Sequence, residues 1–162
     1  MNRQLTVSVG LIQHKDKFLL TRRFDPKYPQ WHHRWQLPGG KINPQESPLE
    51  ALHREVFEET HLSIRDPYLL GVYTHHWKMA DMTQQTFILL YHCFVEHPHV
   101  ILKPDENDAH VWEDIQKILT TENLLEGTVP MLQELYFKPR SPLQESFLKF
   151  SLNCSNIPFG ET

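Results

Sequence analysis

Three glutamates stand close together in one short stretch of the chain. If that stretch is helical, spacings of three and four residues place Glu55, Glu58 and Glu59 on one arc of the helix. Carboxylates gathered in this way are hard oxygen ligands that suit Mg²⁺ or Mn²⁺. Glutamate-rich faces are also common on solvated helices, so the three acids alone do not establish a site.

The residues around the glutamates predict an amphipathic helix that begins at Ser47. Ser47 is a suitable N-cap, Pro48 fits the first helical position, and Glu50 has the spacing of a capping box. At about 100° per residue the apolar side chains gather on one side, which we expect to pack on a sheet. These residues are Leu49, Leu52 and Val56.

A longer pattern surrounds the same glutamates. Gly40 is followed after five residues by Glu46, and after seven more by Arg54-Glu55; Glu58-Glu59 and Leu62 complete the pattern. It resembles the box of the Nudix hydrolase family. At about 7% per residue type, agreement at six charged and glycine positions somewhere in a chain of this length has odds on the order of 10⁻⁵. Chance is therefore a poor explanation of the match.

One position departs from the box. The family's second glycine is His61 here, just after the predicted helix. A residue in this place usually adopts a left-handed conformation, which costs a non-glycine residue about 1 kcal/mol. The departure concerns the geometry of the turn and leaves every presumed metal ligand in place.

The resemblance continues on both sides of the box. The run from Trp35 to Ile42 is typical of the family, and Phe18 to Arg23 is similar to the mutator-type nucleoside triphosphate pyrophosphohydrolases. It implies an α/β/α sandwich with a mixed β-sheet, formed by one domain over residues 1–162 with a poorly matched extension at 139–162. The pattern predicts strands at 6–13, 18–22, 35–37, 68–77, 86–95 and 111–112, and further helices at 114–120 and 129–138.

The resemblance also assigns roles within the box. It implies that Glu58 and Glu59 bind the metal, together with the carbonyl of Gly40, and that Glu55 is a further ligand or the base that activates water. The metal it implies is Mg²⁺, with Mn²⁺ as a second option. Arg54 is four residues before Glu58, so we expect it to orient the glutamates by ion pairing.

The family often supplies another acid from a loop before the last strand. Glu106 is our choice here, with Asp105 and Asp108 as alternatives. The other interpretation of this stretch is a solvated acidic turn, which its composition also suits. We expect Glu46 to support the geometry of the loop and helix rather than the chemistry.

Candidate substrate-binding residues lie before and within the box. Arg23 matches an arginine that contacts substrate phosphate in the mutator-type enzymes, although a strand-end arginine is often only solvent-facing. Tyr28 and Trp31 belong to a loop expected to overhang the site, where aromatic rings can stack on a base. Trp35 is expected in the core. Lys41 is near the metal site in sequence and is either a substrate contact or a surface residue.

Composition limits the classes of protein to consider. With 16 basic and 20 acidic residues the net charge of −4 gives no broad footprint for a nucleic-acid polymer. No apolar run reaches the roughly 18 residues of a membrane span. Cys93 and Cys154 are isolated, which favours a reducing compartment and buried thiols. We expect a cytoplasmic protein that acts on a small nucleotide-type molecule and does not associate with a membrane.

The expected activity is cleavage of a phosphoanhydride bond in a nucleoside triphosphate or a related nucleoside diphosphate derivative. The proline typical of ADP-ribose hydrolases is absent near Trp77, and the tyrosine typical of dinucleoside polyphosphate hydrolases is absent near Ala80. The alternative function is a catalytically weak sensor domain, although such domains typically lose box glutamates. The isoprenoid isomerases share the fold but use a catalytic cysteine, and neither cysteine here lies near the box.

Overall fold

The N-terminal part of the chain forms the hairpin that its sequence predicts. In this computed structural model, which describes residues 1–138, β1 (Asn2–His14) turns into β2 (Lys17–Arg23). The two strands pair antiparallel, with Gln13 opposite Phe18. β1 lies at the centre of the sheet, and its pairing with neighbouring strands sets the positions of residues in the site.

Five further strands complete a seven-stranded mixed sheet. They are β3 (Trp35–Gln36), β4 (Gly39–Lys41), β5 (Arg65–Met79), β6 (Met82–Phe94) and β7 (Asn107–Glu113). The strand order is β3-β2-β1-β6-β5, with β4 paired to β1 and β7 paired to β2. β1 and β6 run parallel over almost their whole length, whereas the other paired strands are antiparallel.

Helices cover both faces of this sheet. The helices are α1 (Pro48–Thr60), α2 (Ile115–Ile118) and α3 (Thr128–Leu135). Leu11 and Ile12 are both fully buried although they are consecutive on β1 and face opposite ways. Ile12 packs in a cluster with Leu52 and Val56 of α1, and Leu11 packs in a second cluster with residues of α2 and α3. The predicted α/β/α sandwich is confirmed.

The helix that carries the glutamates begins as predicted. The Ser47 hydroxyl accepts a hydrogen bond from the Glu50 amide, and the Glu50 carboxylate accepts one from the Ser47 amide. The expectation for Leu49 is wrong, because 39% of this residue is exposed. Helical side chains tilt toward the N-terminus, so a side chain in the first turn projects past the packed face. Leu52 and Val56 are buried as expected.

Several strands are longer than the sequence predicted. β5 and β6 together form a hairpin that turns at Ala80 and Asp81, where polar residues hid the strand signal. β7 begins at Asn107 rather than at Val111. Its exposed residues Asp108 and His110 alternate with more buried ones, since one face of this strand meets solvent. α2 and α3 end earlier than the predicted positions 120 and 138.

Three smaller expectations concern burial and membranes. Trp35 packs against the second core cluster, as expected. Cys93 is fully buried, and burial raises the pKa of its thiol to about 12. Cys154 and the predicted extension at 139–162 lie outside the described residues. None of the helices in the described part of the chain has the length and apolar composition that a membrane crossing requires.

Candidate functional site

Two adjacent glycines bring the backbone of β4 against the glutamate side of α1. Gly39 has φ +145°, and a Cβ there would collide with the carbonyl oxygen of Ser8 on β1. At Gly40 a Cβ would lie 2.5 Å from the carboxyl carbon of Glu55. A side chain at position 40 would therefore displace the Glu55 carboxylate from its present place.

Glu59 is the most deeply buried of the three glutamates, with 6% of the residue exposed. Its Oε2 accepts a hydrogen bond of 3.1 Å from the Gly39 amide. Burial raises the pKa of Glu59 to about 8, against the lowering effect of that hydrogen bond and of Arg23. The charges of Glu55 and Glu106 raise the same pKa further. A negative charge on Glu59 is therefore costly unless a cation comes close.

The Arg54 guanidinium bonds several glutamates of the box at once. It donates to Glu46 at 2.6 Å, to Glu55 at 2.7 Å and to Glu58 at 3.3 Å, and it also donates to the carbonyl of Lys41 at 3.0 Å. The hydrogen bonds from Arg54 lower the pKa of Glu46 to about 2. Glu46 in turn accepts a hydrogen bond from a backbone amide in the loop, so the pair joins loop to helix.

The other two glutamates of α1 differ in environment. The side chain of Glu55 is 16% exposed, and burial raises its pKa against the opposing hydrogen bond from Arg54. The side chain of Glu58 is 45% exposed, and its ion pair with Arg54 is the predicted i,i+4 contact. Glu55 and Glu59 both line a large cavity, whereas Glu58 is not one of its lining residues.

The loop before β7 adds further acids to the glutamate cluster. Glu106 and Asp105 line the same cavity as Glu55. The Glu106 carboxylate pairs with Lys103 at 2.5 Å, and its charge helps to raise the pKa of Glu55 and of Glu59. Asp108 is instead paired with Arg22 at 2.7 Å. Of the three predicted loop acids, the structure brings Glu106 and Asp105 to the site.

The chemistry of these side chains fits a hard divalent cation. Across residues 1–138, no three His, Cys, Asp or Glu side chains converge closely enough to form a ready-made metal site. Even so, Glu55 and Glu59 face each other and Glu106 with mutual repulsion that raises their pKa. A cation among carboxylate oxygens relieves both the repulsion and the cost of burial. Small movements of these side chains would complete its coordination.

A cavity of about 640 Å³ opens beside the glutamates. All four predicted substrate-binding residues line it: Arg23, Tyr28, Trp31 and Lys41. A volume of this size is in the range of small-molecule sites. The cavity joins the acidic end of the site to an aromatic end, as a nucleotide with a charged and an aromatic part requires.

The aromatic end is arranged around Trp31. The guanidinium of Arg23 lies 5.0 Å from the centre of the Trp31 ring and is held by Asp25 at 2.6 and 3.0 Å. The Tyr28 ring centre lies 4.9 Å from that of Trp31. Arg23 thus lines one cavity with the aromatic residues and the glutamates, and its charge lowers the pKa of Glu59.

Sequence analysis missed the residues that the sheet contributes to the cavity. Trp77 of β5 contacts Trp31 edge-on at 5.7 Å, and Gln84 and Thr86 of β6 form part of the lining. The signal was the period of two along the first half of β6, which places Gln84 and Thr86 on one face. For Gln84 this signal was hidden because the polar residues between the predicted strands 68–77 and 86–95 show no apolar alternation, whereas Thr86 was the first residue of the second of these strands.

The arrangement is that of a known family. The NUDIX domain matches residues 2–135 of the chain. The chain belongs to the Nudix family. Its structure is similar to the MutT protein from Methanosarcina mazei Go1, with a TM-score of 0.70, 26% identity, and coverage of 86% of this chain and 98% of that one. A NUDIX hydrolase from Nitrosomonas europaea matches with a TM-score of 0.63 and 26% identity, over 88% of this chain and 95% of that one.

Curated relatives of this Nudix protein match over a shorter segment. An RNA pyrophosphohydrolase of Proteus mirabilis (strain HI4320) is 38% identical over 71 residues, which is 44% of this chain and 36% of that protein. One from Yersinia enterocolitica is 35% identical over 71 residues, or 44% of this chain and 37% of that protein. The matched segment thus spans little more than a third of the length of these relatives.

Proposed function

We propose that this Nudix protein is a Mg²⁺-dependent pyrophosphohydrolase, with Mn²⁺ as an alternative metal. It cleaves a phosphoanhydride bond of a nucleoside triphosphate or a related nucleoside diphosphate derivative. The observation that carries the proposal is the cavity in which Glu55, Glu59 and Glu106 repel one another beside Arg23. Phosphoryl transfer needs a cation to offset phosphate charge and a group that positions water, and this cavity offers ligands and a base for both.

The proposed metal ligands are carboxylates of α1 and one backbone group. Glu58, Glu59 and the carbonyl of Gly40 hold the ion, and Glu55 completes the set or acts as the base. When bound, Mg²⁺ neutralises phosphate charge and orients the scissile bond. Arg54 orients the glutamates from behind, since its guanidinium bonds both Glu55 and Glu58. Its role is positioning rather than contact with the substrate.

We assign the water-activating base to Glu55, with Glu106 as the competing residue. Glu55 is buried enough to have a raised pKa, and it faces the cavity next to Gly40. A raised pKa makes a carboxylate a better proton acceptor near neutral pH. The Glu106 carboxylate is engaged with Lys103, which reduces its capacity to accept a proton. Loss of the acidic limb of the pH–rate profile in Glu106→Gln, but not in Glu55→Gln, would reverse this assignment.

The substrate lies along the cavity from its acidic to its aromatic end. Arg23 contacts the phosphates, and its fixed pairing with Asp25 holds the guanidinium in place. Tyr28 stacks on the base, because aromatic rings stack on bases without needing a particular sequence of polar groups, and Trp31 contacts the edge of the base. Lys41 adds positive charge at the rim, where its exposed side chain can reach a phosphate.

The experiment that tests this function is a turnover screen with nucleoside triphosphates, sugar nucleotides and dinucleotides, each with Mg²⁺, Mn²⁺ or excess chelator. We expect metal-dependent release of pyrophosphate or phosphate from a nucleoside triphosphate. Oxygen-18-labelled water identifies the phosphorus that is attacked. Turnover that persists in excess chelator contradicts the metal mechanism. Binding without turnover of any substrate indicates the alternative function, a nucleotide sensor.

A second candidate substrate is the triphosphate at the end of an RNA, which the names of the curated relatives favour. The cavity would then hold only the terminal nucleotide. The net charge of −4 offers little attraction for the rest of a polyanion, so we rank the free nucleotide first. A short 5′-triphosphorylated oligoribonucleotide in the same screen decides: a higher kcat/KM for it than for the free nucleotide reverses the ranking.

A further inference from the structure

Gln84 lies on the floor of the cavity, toward the end remote from the glutamates. β6 is parallel to β1, where Gln84 pairs with Arg3, whereas Gly40 of the metal end pairs with Ser8. Five positions along β1 correspond to roughly 16 Å. A nucleotide whose phosphates lie beside Gly40 therefore extends its base toward Gln84. This inference rests on the proposed function and concerns which base that site accepts.

The amide of Gln84 is buried, with 4% of the residue exposed, and only one end of it is engaged. Its Nε2 donates to the Thr86 hydroxyl at 3.1 Å, while its Oε1 has no hydrogen-bond partner. The Thr86 contact engages one end of the amide and leaves the other end without a partner. A buried carbonyl oxygen without a donor has lost its hydrogen bonds to water and gained none from the protein, which costs free energy. A bound ligand that donates a hydrogen bond to this oxygen would recover that cost.

A second unpaired polar group faces the same part of the cavity. The indole Nε1 of Trp31 is buried without a hydrogen-bond acceptor. Trp31 contacts Trp77 edge-on, and Trp77 is the cross-strand neighbour of Gln84 on β5. The loop thus offers an unused donor and the sheet an unused acceptor, on two residues that both neighbour Trp77. A ligand that supplies one N–H and one acceptor satisfies both.

We propose that Gln84 is a specificity-determining residue of this site. Its Oε1 accepts a hydrogen bond from the amino group of the substrate's base, and Trp31 Nε1 donates to the adjoining ring nitrogen. On the Watson–Crick edge, adenine and cytosine present an amino group beside an unprotonated ring nitrogen. At the position of that amino group guanine and uracil carry a carbonyl oxygen beside a protonated ring nitrogen, which leaves the Gln84 oxygen unpaired. The site therefore selects adenine and cytosine nucleotides.

The first test changes the substrate and leaves the protein intact. We compare kcat/KM for the four ribonucleoside triphosphates and for purine riboside triphosphate, which lacks the amino group of adenine. The expected loss is about tenfold for the analogue and for the guanine and uracil nucleotides, which is the scale of one lost hydrogen bond with a buried partner left unpaired. Equal values for adenine and the analogue, or a preference for guanine or uracil, overturn the proposal.

The second test asks whether Gln84 causes the preference for the amino group of the base. Gln84→Met keeps the length of the side chain and removes its polar atoms, and we expect the preference for the amino group to vanish. Gln85→Met is the matched control, because Gln85 faces the other side of β6 and bonds Gln4 at 2.7 Å. A preference that survives in Gln84→Met overturns the proposal. If that variant does not fold, the comparison of substrates in the unaltered protein decides alone.

Different results contradict the proposed function and the role of Gln84. If no nucleotide is turned over with Mg²⁺ or Mn²⁺, the proposed function is wrong. If nucleotides are turned over at equal rates whatever their base, the proposed function stands and the role of Gln84 is wrong.

Discussion

At the scale of single residues, the glutamates of α1 divide by burial although they share one helix. Glu59 is buried against Gly39, Glu55 is half-buried beside Gly40, and Glu58 is exposed. Under the proposed function, a cation relieves the cost of burying Glu55 and Glu59, and Glu58 reaches this cation from its more exposed position. The variants below test whether the exposed glutamate is as necessary as the buried ones.

Glu58→Gln removes one charge from the proposed ligand set with little change in shape. We expect kcat to fall by about a thousandfold or more, because a metal ion contributes several kcal/mol of transition-state stabilisation. Glu50→Gln is the control on the same helix, since glutamine preserves the capping box. Both are measured by release of pyrophosphate or phosphate at saturating Mg²⁺. A loss of only a few fold in Glu58→Gln contradicts its role as a ligand.

Arg54→Lys keeps the positive charge and removes the planar fork that reaches Glu46, Glu55 and Glu58 together. We expect kcat/KM to fall about 10- to 100-fold and the Mg²⁺ concentration for half-maximal activity to rise, as for other residues that orient metal ligands. Arg65→Lys, in an exposed ion pair, is the control. An unchanged requirement for Mg²⁺ would show that Arg54 acts on stability alone.

At the scale of elements, the end of α1 explains how the chain tolerates the missing glycine of the box. His61 adopts φ 57°, the left-handed conformation that glycine usually supplies. Its Nδ1 lies 3.0 Å from the carbonyl of Ile101, in the loop that leads to Glu106. The left-handed conformation of His61 costs backbone strain, but its side chain makes a contact between α1 and the acidic loop that glycine could not make.

His61→Gly and His61→Ala both lose this contact, but only glycine relieves the strain. We expect His61→Gly to be more stable than His61→Ala by about 1 kcal/mol. Urea unfolding followed by tryptophan fluorescence gives the free energy of unfolding for both. Equal stabilities would mean that the left-handed conformation is not kept when histidine is absent.

At the scale of the whole molecule, the buried charge of Glu59 couples stability to pH. Its pKa rises from an ordinary 4.5 to about 8 on folding, so the fold favours the neutral acid. This contribution is complete below about pH 4.5 and is lost as the pH rises through about 8. Metal binding requires the ionised form, so it opposes the loss.

In chelator, we expect the protein to lose stability relative to Glu59→Gln between about pH 5 and pH 8, by on the order of a few kcal/mol. Glutamine mimics the neutral acid at every pH and removes this dependence. Urea unfolding of both proteins at each pH measures the difference. A difference that stays constant over this range contradicts the raised pKa.

At about pH 8, saturating Mg²⁺ should raise the melting temperature of the unaltered protein and leave Glu59→Gln nearly unchanged. Thermal unfolding with and without the metal makes the comparison. Equal stabilisation of both proteins would place the bound metal away from Glu59.

The sequence alone predicted the family, and with it the sandwich and the class of reaction, because the box that carries the resemblance is a local pattern. The spacing from Gly40 through Glu46 to Glu59 identifies the box, and the helix period brings its acids to one side. The capping residues of α1 and the hairpin of β1 and β2 are likewise encoded by neighbours in the chain. These features do not require knowledge of what packs against them.

Only the tertiary structure decided how the site is completed. The burial of Glu59 depends on β4 pairing with β1, and the approach of Glu106 depends on β7 pairing with β2. Gln84 joins the cavity because β6 lies parallel to β1, a contact between residues some eighty positions apart. Helix period and capping say nothing about such pairings. For that reason the box and the four candidate substrate-binding residues were readable from the sequence, whereas the contributions of Trp77 and Gln84 to the cavity were not.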